Sequence, residues 1–322
     1  MRKNTYTKKE REEHANAQKE KIREISQRLE KGVKETFTSE KFTEFLRFCA
    51  KFPQYSARNQ ILIMMQKPDA SMVQSYTAWK KVGRYVREGE HGIIIIAPSA
   101  KKAYHYKRNV HDLNGDIVRD ENGDPVTEIK ESFVQLYKAA YTFDISQTEG
   151  KPVPELGVNE LSGTVANYDQ LFKAICNIIP VPVGFEDIKT GAKGYYSPME
   201  NRIAIKNGLS EIHTIKTLIH EGAHQKLHNL ETMKAAEKKP SRYERETQAE
   251  SIAYIVCARF GLDTSEYSFP YVATYATDKE VPELSASLEI IRAAAYEMIT
   301  QIEKELQNAQ PETTAQGAEV AA

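Results

Sequence analysis

The chain has 322 residues, of which 40% are hydrophobic and 28% charged, and its formal net charge is −1. This composition supports one or two folded cores and excludes collagen-like and wholly disordered proteins. No run approaches 18 apolar residues, and the N-terminus lacks the apolar stretch of a secretory signal, so we expect no membrane span and no export. Three widely separated cysteines indicate buried thiols in a reducing compartment, which favours a cytoplasmic protein.

The charge is divided unevenly along the chain. Residues 1–150 carry 27 Lys and Arg against 21 Asp and Glu, whereas residues 151–322 carry 17 against 24. Between Arg47 and Arg108 there are 12 basic residues and three acidic ones. Opposite signs in the two halves favour two different functions.

The first half predicts helices followed by an antiparallel sheet. Apolar residues spaced three and four apart predict helices over 8–35, 39–51, 56–66 and 76–83. The stretches GIIIIAPS, AYHYKRNV and ESFVQLYKAAYTFDIS are rich in β-branched and aromatic residues, which is typical of strands. The Asn-Gly pairs at 114–115 and 122–123, which separate these stretches, are hairpin turn signals.

The second half is mostly helical. We predict helices over 163–179, 210–230, 241–261 and 283–307, and a hairpin made of GYYS at 194–197 and RIAIK at 202–206. The predicted fold is therefore α+β, with N-terminal helices plus an antiparallel sheet and then a mostly helical domain. We divide the chain into a charged N-terminal helix (1–36), a first domain (37–148), a linker (149–160), a second domain (161–308) and a disordered tail (309–322).

The strongest motif is TLIHEGAHQKLH at 217–228. His220 and His224 are four residues apart on a predicted helix, so both imidazoles project from one face and can share a metal ion. Glu221 can accept a proton from water that the metal activates. The motif predicts a zinc site with Glu221 as the catalytic base. The alternative is a pair of surface histidines on an amphipathic helix.

A catalytic zinc needs a third protein ligand, and the next helix offers two carboxylates. Glu246 and Glu250 lie one turn apart in ERETQAESIAYIV. We assign Glu246 as the ligand and Glu250 as a carboxylate that accepts the remaining N–H of an imidazole, and the reverse assignment stays open. Apolar neighbours place this helix face toward the core, where unpaired carboxylates are costly.

Two further features surround the motif. His228 lies four residues beyond His224, but the longer HExxHxxGxxH pattern requires a histidine where the chain has Leu230. We therefore interpret His228 either as a surface residue or as a residue that supports the ligands. The RIAIK strand is predicted to be a sheet edge along which an extended peptide lies.

The basic segment between Arg47 and Arg108 also contains tyrosines and the single tryptophan. Cations that contact phosphates and aromatic rings that stack on unpaired bases are the two components of single-strand binding. A packed core with a solvated lysine face would give the same composition. The residues that we predict to bind DNA are Arg58, Trp79, Lys80, Lys81, Arg84, Tyr85 and Arg87.

Three segments of the first half resemble the N-terminal single-stranded-DNA-binding domain of ArdC-type antirestriction proteins. They are YSARNQILIMMQ, YTAWKKVGRYVREGEHGIIIIAP and FVQLYKAAYTFDISQTEGKP. The second half, with TLIHEGAHQKLH and ERETQAESIAYIVC, is similar to the zinc-metallopeptidase-like domain of that family and to the IrrE/ImmA group. In the latter group's Glu-x-x-Ala-Asn/Asp-x-x-Ala pattern, Glu250 replaces the Asn or Asp. The resemblance covers about residues 37–265.

The resemblance implies a zincin-like (gluzincin) metallopeptidase domain with zinc as cofactor, in a protein of plasmids, conjugative elements or phages. We expect the chain to bind incoming single-stranded DNA and to act in antirestriction or transfer of mobile DNA, with a protein as candidate substrate. One alternative is a regulatory cytosolic zinc protease that cleaves a repressor-like protein. Another is a DNA-binding module with purely structural zinc. A fragment ending near Thr148 is expected to bind single-stranded DNA nearly as well as the whole chain.

Overall fold

A computed structural model describes residues 8–112, 114–152, 165–262, 269, 272, 276 and 279–309. The helices are α1 (Lys8–Thr36), α2 (Ser39–Lys51), α3 (Ala57–Gln66), α4 (Tyr76–Lys81), α5 (Val165–Ile178), α6 (Glu211–His228), α7 (Leu230–Ala235), α8 (Arg242–Arg259) and α9 (Val281–Asn308). The strands are β1 (Val73–Ser75), β2 (Arg84–Val86), β3 (Ile93–Asn109), β4 (Thr127–Asp144), β5 (Thr148–Gly150), β6 (Val183–Glu186), β7 (Gly194–Ser197) and β8 (Arg202–Lys206). The mixture of helices and antiparallel strands confirms the α+β prediction.

The chain forms two compact units that are not continuous in sequence. One unit comprises Met1–Gln27 and Ile94–Thr142, and the other comprises Arg28–Ile93 and Phe143–Ala322. The division into two separately folded domains joined by a linker at 149–160 stays a prediction, and 153–160 of that linker lie outside the described residues. The predicted disordered tail also lies outside them, except for Ala309.

The first unit is built on a long hairpin. β3 and β4 are hydrogen-bonded neighbours, and β3 joins two predicted strands into one of 17 residues. The tip between them repeats the sequence Asp-x-Asn-Gly-Asp. In each repeat the first aspartate, Asp112 or Asp120, accepts backbone N–H bonds of 2.9 Å from residues two and four positions later. These bonds fold the tip into two tandem turns.

The second unit has a helical core. Helix α2 buries Phe42, Phe45 and Leu46 completely and packs against α8, while α9 packs against α3, α5 and α8. Phe42 also contacts Phe269 edge-on, with ring centroids 5.3 Å apart. None of the described helices has the length and apolar character that crossing a membrane requires.

A small mixed sheet lies beside α6 in the same unit. Its order is β6–β8–β7, with β6 parallel and β7 antiparallel to β8. Ile203, Ala204 and Ile205 of β8 are fully buried, as a central strand requires. The prediction that the RIAIK strand forms the sheet edge is therefore wrong, since a short strand of apolar residues fits either position and β7 lies at the edge.

Candidate metal centre

Helix α6 presents two imidazoles to a carboxylate of α8. His220 Nε2 lies 3.1 Å from His224 Nε2, and Glu246 Oε2 lies 3.6 and 3.5 Å from these two nitrogens. Ligand atoms about 2.1 Å from a tetrahedral ion are about 3.4 Å from one another. The three atoms thus have the separations of a zinc ligand set, and two imidazoles with one carboxylate are a donor set of catalytic zinc sites.

Glu250 contacts the other nitrogen of His220. Its Oε2 lies 3.0 Å from His220 Nδ1, so it can accept that N–H and hold the ring in place. Burial lowers the pKa of His220, but hydrogen bonds to Glu246 and Glu250 outweigh burial and raise this pKa to about 10. The adjacent His220 and His224 rings, with the interaction with His220 the largest, hold the pKa of Glu246 well below its ordinary value. A metal ion at this position would take the place of the His220 proton.

His228 is buried and continues the row of imidazoles. Its Nδ1 lies 3.0 Å from His224 Nδ1, and its Nε2 lies 2.9 Å from the side-chain oxygen of buried Gln248. Desolvation lowers the pKa of His228 to about 4, so its ring is neutral at pH 7. Because the Gln248 oxygen only accepts, His228 carries its proton on Nε2 and its Nδ1 accepts from His224.

Because the proton of His224 is on Nδ1, its Nε2 has a lone pair that can bind a metal ion. Of the two interpretations of His228, the structure excludes the surface one. The signal was present in the sequence as a third histidine at the same four-residue spacing, but its partner Gln248 lies on another helix.

Glu221 belongs to α6, and its side chain contacts the edge strand β7. Its side chain is buried, and Oε2 accepts a 2.8 Å hydrogen bond from the backbone N–H of Tyr196. Burial raises the pKa of Glu221, against the opposing charges of His220 and His224. A carboxyl group with a raised pKa, next to a metal ligand set, suits a general base.

These groups line an open cleft of about 730 Å³. Its walls include the strand residues Tyr195 and Tyr196 and four cationic side chains, Lys193, Lys216, Arg242 and Arg245. The backbone N–H of Lys206 donates to the backbone oxygen of Lys193 at 2.9 Å, so the backbone groups of Lys193 point toward β8. Because the backbone groups of successive residues point to opposite sides of a strand, those of Gly194 and Tyr196 point away from β8. The cleft therefore combines a candidate metal ligand set, a buried carboxyl group and the outward-facing backbone of an edge strand.

Three of the predicted DNA-binding residues have structural contacts in the second unit. Trp79 is fully buried and donates its indole N–H to Phe143 O at 2.8 Å. The guanidinium of Arg84 donates to Thr148 and Lys151, and that of Arg87 donates to Glu90 and Ser146. These contacts hold β2 against the segment that follows β4.

The other predicted DNA-binding residues are exposed. Lys80 and Lys81 end α4, Tyr85 is 51% exposed on β2, and Arg58 is exposed on α3. Their contact with DNA stays a prediction. Sequence analysis did not single out the aromatic residues of β4, whose exposure on a strand only the structure shows.

The first half of the chain matches a known family. A family model described as the N-terminal domain of anti-restriction factor ArdC matches residues 15–143. Residues 15–143 are an ArdC-type N-terminal domain. An uncharacterized protein of Bacillus anthracis, pXO2-81, is 29% identical over 96% of this chain, which spans only 56% of that protein's length.

The chain also has similarity to two solved structures of ArdC. The metal-free structure of ArdC from plasmid R388 has 19% identity and a TM-score of 0.48, covering 80% of this chain and 87% of that one. The Mn(II)-bound structure has 18% identity and a TM-score of 0.46, covering 80% and 86%. The ArdC-type domain contains most of the segments that carry the resemblance in the first half of the sequence.

Proposed function

We propose that the chain is a single-stranded-DNA-binding antirestriction protein whose second half is a zinc-dependent, gluzincin-like peptidase. The ArdC-type domain supports the antirestriction and nucleic-acid-binding part of this proposal. The observation that carries the peptidase part is the convergence of His220, His224 and Glu246, with separations of 3.1–3.6 Å, beside the carboxyl of Glu221.

The side chains have distinct tasks in this proposal. His220, His224 and Glu246 would hold the zinc ion, which supplies Lewis-acid activation of water and of a carbonyl group. Glu221 accepts a proton from the attacking water and passes it to the leaving amine, a task that its raised pKa favours. Glu250 and His228 orient the two imidazoles from behind.

A peptide substrate fits the edge of the small sheet. The backbone groups of Gly194 and the carbonyl of Tyr196 face away from β8 and can pair with an extended chain. Tyr196 N–H donates to Glu221, so a substrate paired with these groups would lie next to the base. The described residues offer three ligands in an open cleft, which favours a catalytic rather than a structural metal, since structural zinc sites have four protein ligands.

Glu221→Gln tests the peptidase proposal. The glutamine keeps an acceptor for Tyr196 N–H but cannot take a proton, so zinc content should stay near one per chain while cleavage of casein or of a peptide library stops. Glu231→Gln, a matched change on an exposed residue of α7, should leave cleavage unchanged. Absence of zinc in the wild-type protein, or cleavage by Glu221→Gln, would contradict the proposal.

A further inference from the structure

The long hairpin of the first unit has two parts of opposite charge. The hairpin stem, residues 94–109 and 132–142, contains five Lys and Arg and no Asp or Glu. The hairpin tip, residues 110–131, contains two basic and seven acidic residues. Lys101, Lys102, Lys107, Arg108 and Lys138 of the stem are all exposed or partly exposed. A polyanion is therefore attracted to the stem and repelled by the tip.

The same stem exposes aromatic rings. Tyr104 and Tyr106 of β3 are 44% and 41% exposed, and Phe133 and Tyr137 of β4 are 58% and 57% exposed. Such large apolar side chains clustered on two strands indicate a binding surface rather than scattered exposure.

The rings are arranged in rows along the strands. Tyr104 and Tyr106 are two residues apart on one face, with ring centroids 6.0 Å apart and a tilt of 34°. Phe133, Tyr137 and Tyr141 are four residues apart, so they share a face of β4 at intervals of roughly 13 Å. Tyr141 makes a cation–π contact with Lys21, whose Nζ lies 4.6 Å from the ring centroid.

We infer that the hairpin stem is the surface that binds single-stranded nucleic acid, with bases stacking on Tyr104, Tyr106, Phe133 and Tyr137 and phosphates contacting the stem cations. The inference rests on the proposed nucleic-acid binding and gives it a location. Exposed rings interleaved with cations fit unpaired bases, whereas a duplex keeps the faces of its bases covered. The surface formed by α4 and β2, called the α4–β2 surface below, is a weaker candidate. Trp79, Arg84 and Arg87 of this region already make hydrogen bonds within the protein, and Trp79 is buried.

The test measures fluorescence anisotropy of a labelled 20-nucleotide oligo-dT with the full chain. Tyr104→Ala with Tyr106→Ala, and separately Phe133→Ala with Tyr137→Ala, should each weaken binding at least about 5-fold and up to about 150-fold per stacked base. Lys101→Gln with Lys102→Gln should weaken binding and reduce the log–log salt slope by about 0.7 for each phosphate that the variant no longer neutralises. All of these side chains are exposed, so melting temperatures should stay close to wild type.

Matched controls separate the stem from other surfaces. Tyr243→Ala removes an aromatic residue of α8 that is 68% exposed, and Asp116→Asn with Asp124→Asn changes charge at the tip. Neither should weaken binding. Tyr85→Ala with Lys80→Gln and Lys81→Gln tests the α4–β2 surface.

The outcomes distinguish this inference from the proposal on which it depends. If the wild-type chain does not bind the oligonucleotide, the proposed nucleic-acid binding fails. If it binds and only the α4–β2 variant loses affinity, or if stem variants bind like wild type, the location on the stem is wrong. Equal affinity for a duplex of the same length would overturn the stacking role of the rings.

Discussion

His224 has two ring nitrogens, and only one of them faces the other ligands. The hydrogen-bonded row from Gln248 through His228 to His224 decides which nitrogen carries the proton, because each contact fixes the next one. Without His228, the His224 ring can rotate or place its proton on Nε2, where it would block a metal ion. His228, which is outside the proposed ligand set, would therefore influence metal binding through His224.

We predict that His228→Ala lowers zinc affinity about 10- to 100-fold, measured by competition with a chelator. Gln248→Leu should act in the same direction, whereas Gln248→Glu, which keeps an acceptor for His228 Nε2, should retain most of the affinity. His111→Ala, an exposed histidine of the hairpin tip, serves as the control. Unchanged zinc affinity in His228→Ala with only a lower melting temperature would show that His228 has no more than a packing role.

Asp144 is a second buried residue that organises its surroundings through one carboxylate. Oδ1 accepts backbone N–H bonds from Ser71 and Met72 at 2.8 and 2.9 Å, and Oδ2 accepts one from Ser146 at 2.9 Å. Burial raises the pKa of Asp144, but the hydrogen bonds from Ser146, Ser71 and Met72 together hold it below its ordinary value. The ionised form therefore stabilises the fold.

The expected pH dependence follows from that direction. The stabilisation by Asp144 is fully present above the ordinary pKa of 3.8 and is lost as pH falls through the lower pKa of the folded state. We expect Asp144→Asn to cost about 1.5–3 kcal/mol of unfolding free energy at pH 7, and less in acid. Denaturant unfolding at pH 7 and at pH 3 measures the difference, with exposed Asp116→Asn as control. A difference that grows in acid would contradict this account.

At the scale of secondary structure, the helices other than α7 and the second hairpin follow closely from the sequence. Predicted 39–51 coincides with α2, and predicted 194–197 and 202–206 coincide with β7 and β8. These elements are long enough for the spacing of their apolar residues to indicate their type. Ser210 and Ser241, which cap α6 and α8, also mark where these helices begin.

The three-residue strands β1, β2 and β5 did not follow from the sequence, because so few residues show no period. β2 exists because β5 pairs with it, with Tyr85 opposite Glu149. Such a pairing between distant segments is a tertiary property. The His220–His224 pair could be predicted from the sequence because both residues lie on one helix. The contact between His228 and Gln248 could not be predicted, because it joins two helices.

The approach of β7 to α6 depends on a glycine. A Cβ atom on Gly194 would lie 2.5 Å from Thr217 Cγ2 and 2.8 Å from Ala204 O, which are shorter than van der Waals contacts. Only glycine therefore lets the strand come close enough for Tyr196 N–H to reach Glu221.

We predict that Gly194→Ala displaces β7 and destabilises the protein by about 1–3 kcal/mol, in the range of overpacked cores. Gly184→Ala on β6 is the matched control, because a Cβ atom there has no neighbour within 4 Å. Thermal unfolding of the two variants, together with cleavage by each, measures the effect. Equal stability of the two variants would show that the close approach of β7 to α6 is not required.

At the scale of the whole molecule, helices from different halves of the sequence pack against each other. The charge difference between the halves suggested two units joined near 149–160, yet α2 and α3 pack against α8 and α9. The sequence could not show this, because an apolar helix face does not reveal which helix covers it. The ArdC-type domain of residues 15–143 therefore includes helices whose buried faces are completed by the second half of the chain.

The contact between α3 and α9 is polar as well as apolar. Glu289 Oε2 accepts the backbone N–H of Ala57 at 2.8 Å, at the N-terminus of α3, and Arg292 donates to Pro53 O at 3.2 Å. A carboxylate at a helix N-terminus is favoured by the helix dipole. The second half of the chain thus caps a helix of the first half.

This packing argues against the expectation that a fragment ending near Thr148 binds DNA like the whole chain. The fragment lacks α8 and α9, so Phe42, Phe45 and Leu46 would be exposed at a cost of about 1.5–3 kcal/mol for each fully exposed side chain. We predict that the fragment aggregates or loses helical circular dichroism, and that Glu289→Ala lowers the unfolding free energy of the full chain by about 1–2 kcal/mol. Glu44→Ala, an exposed residue of α2, is the matched control. A soluble, cooperatively unfolding fragment would instead show that α1 to α4 form a core without the second half.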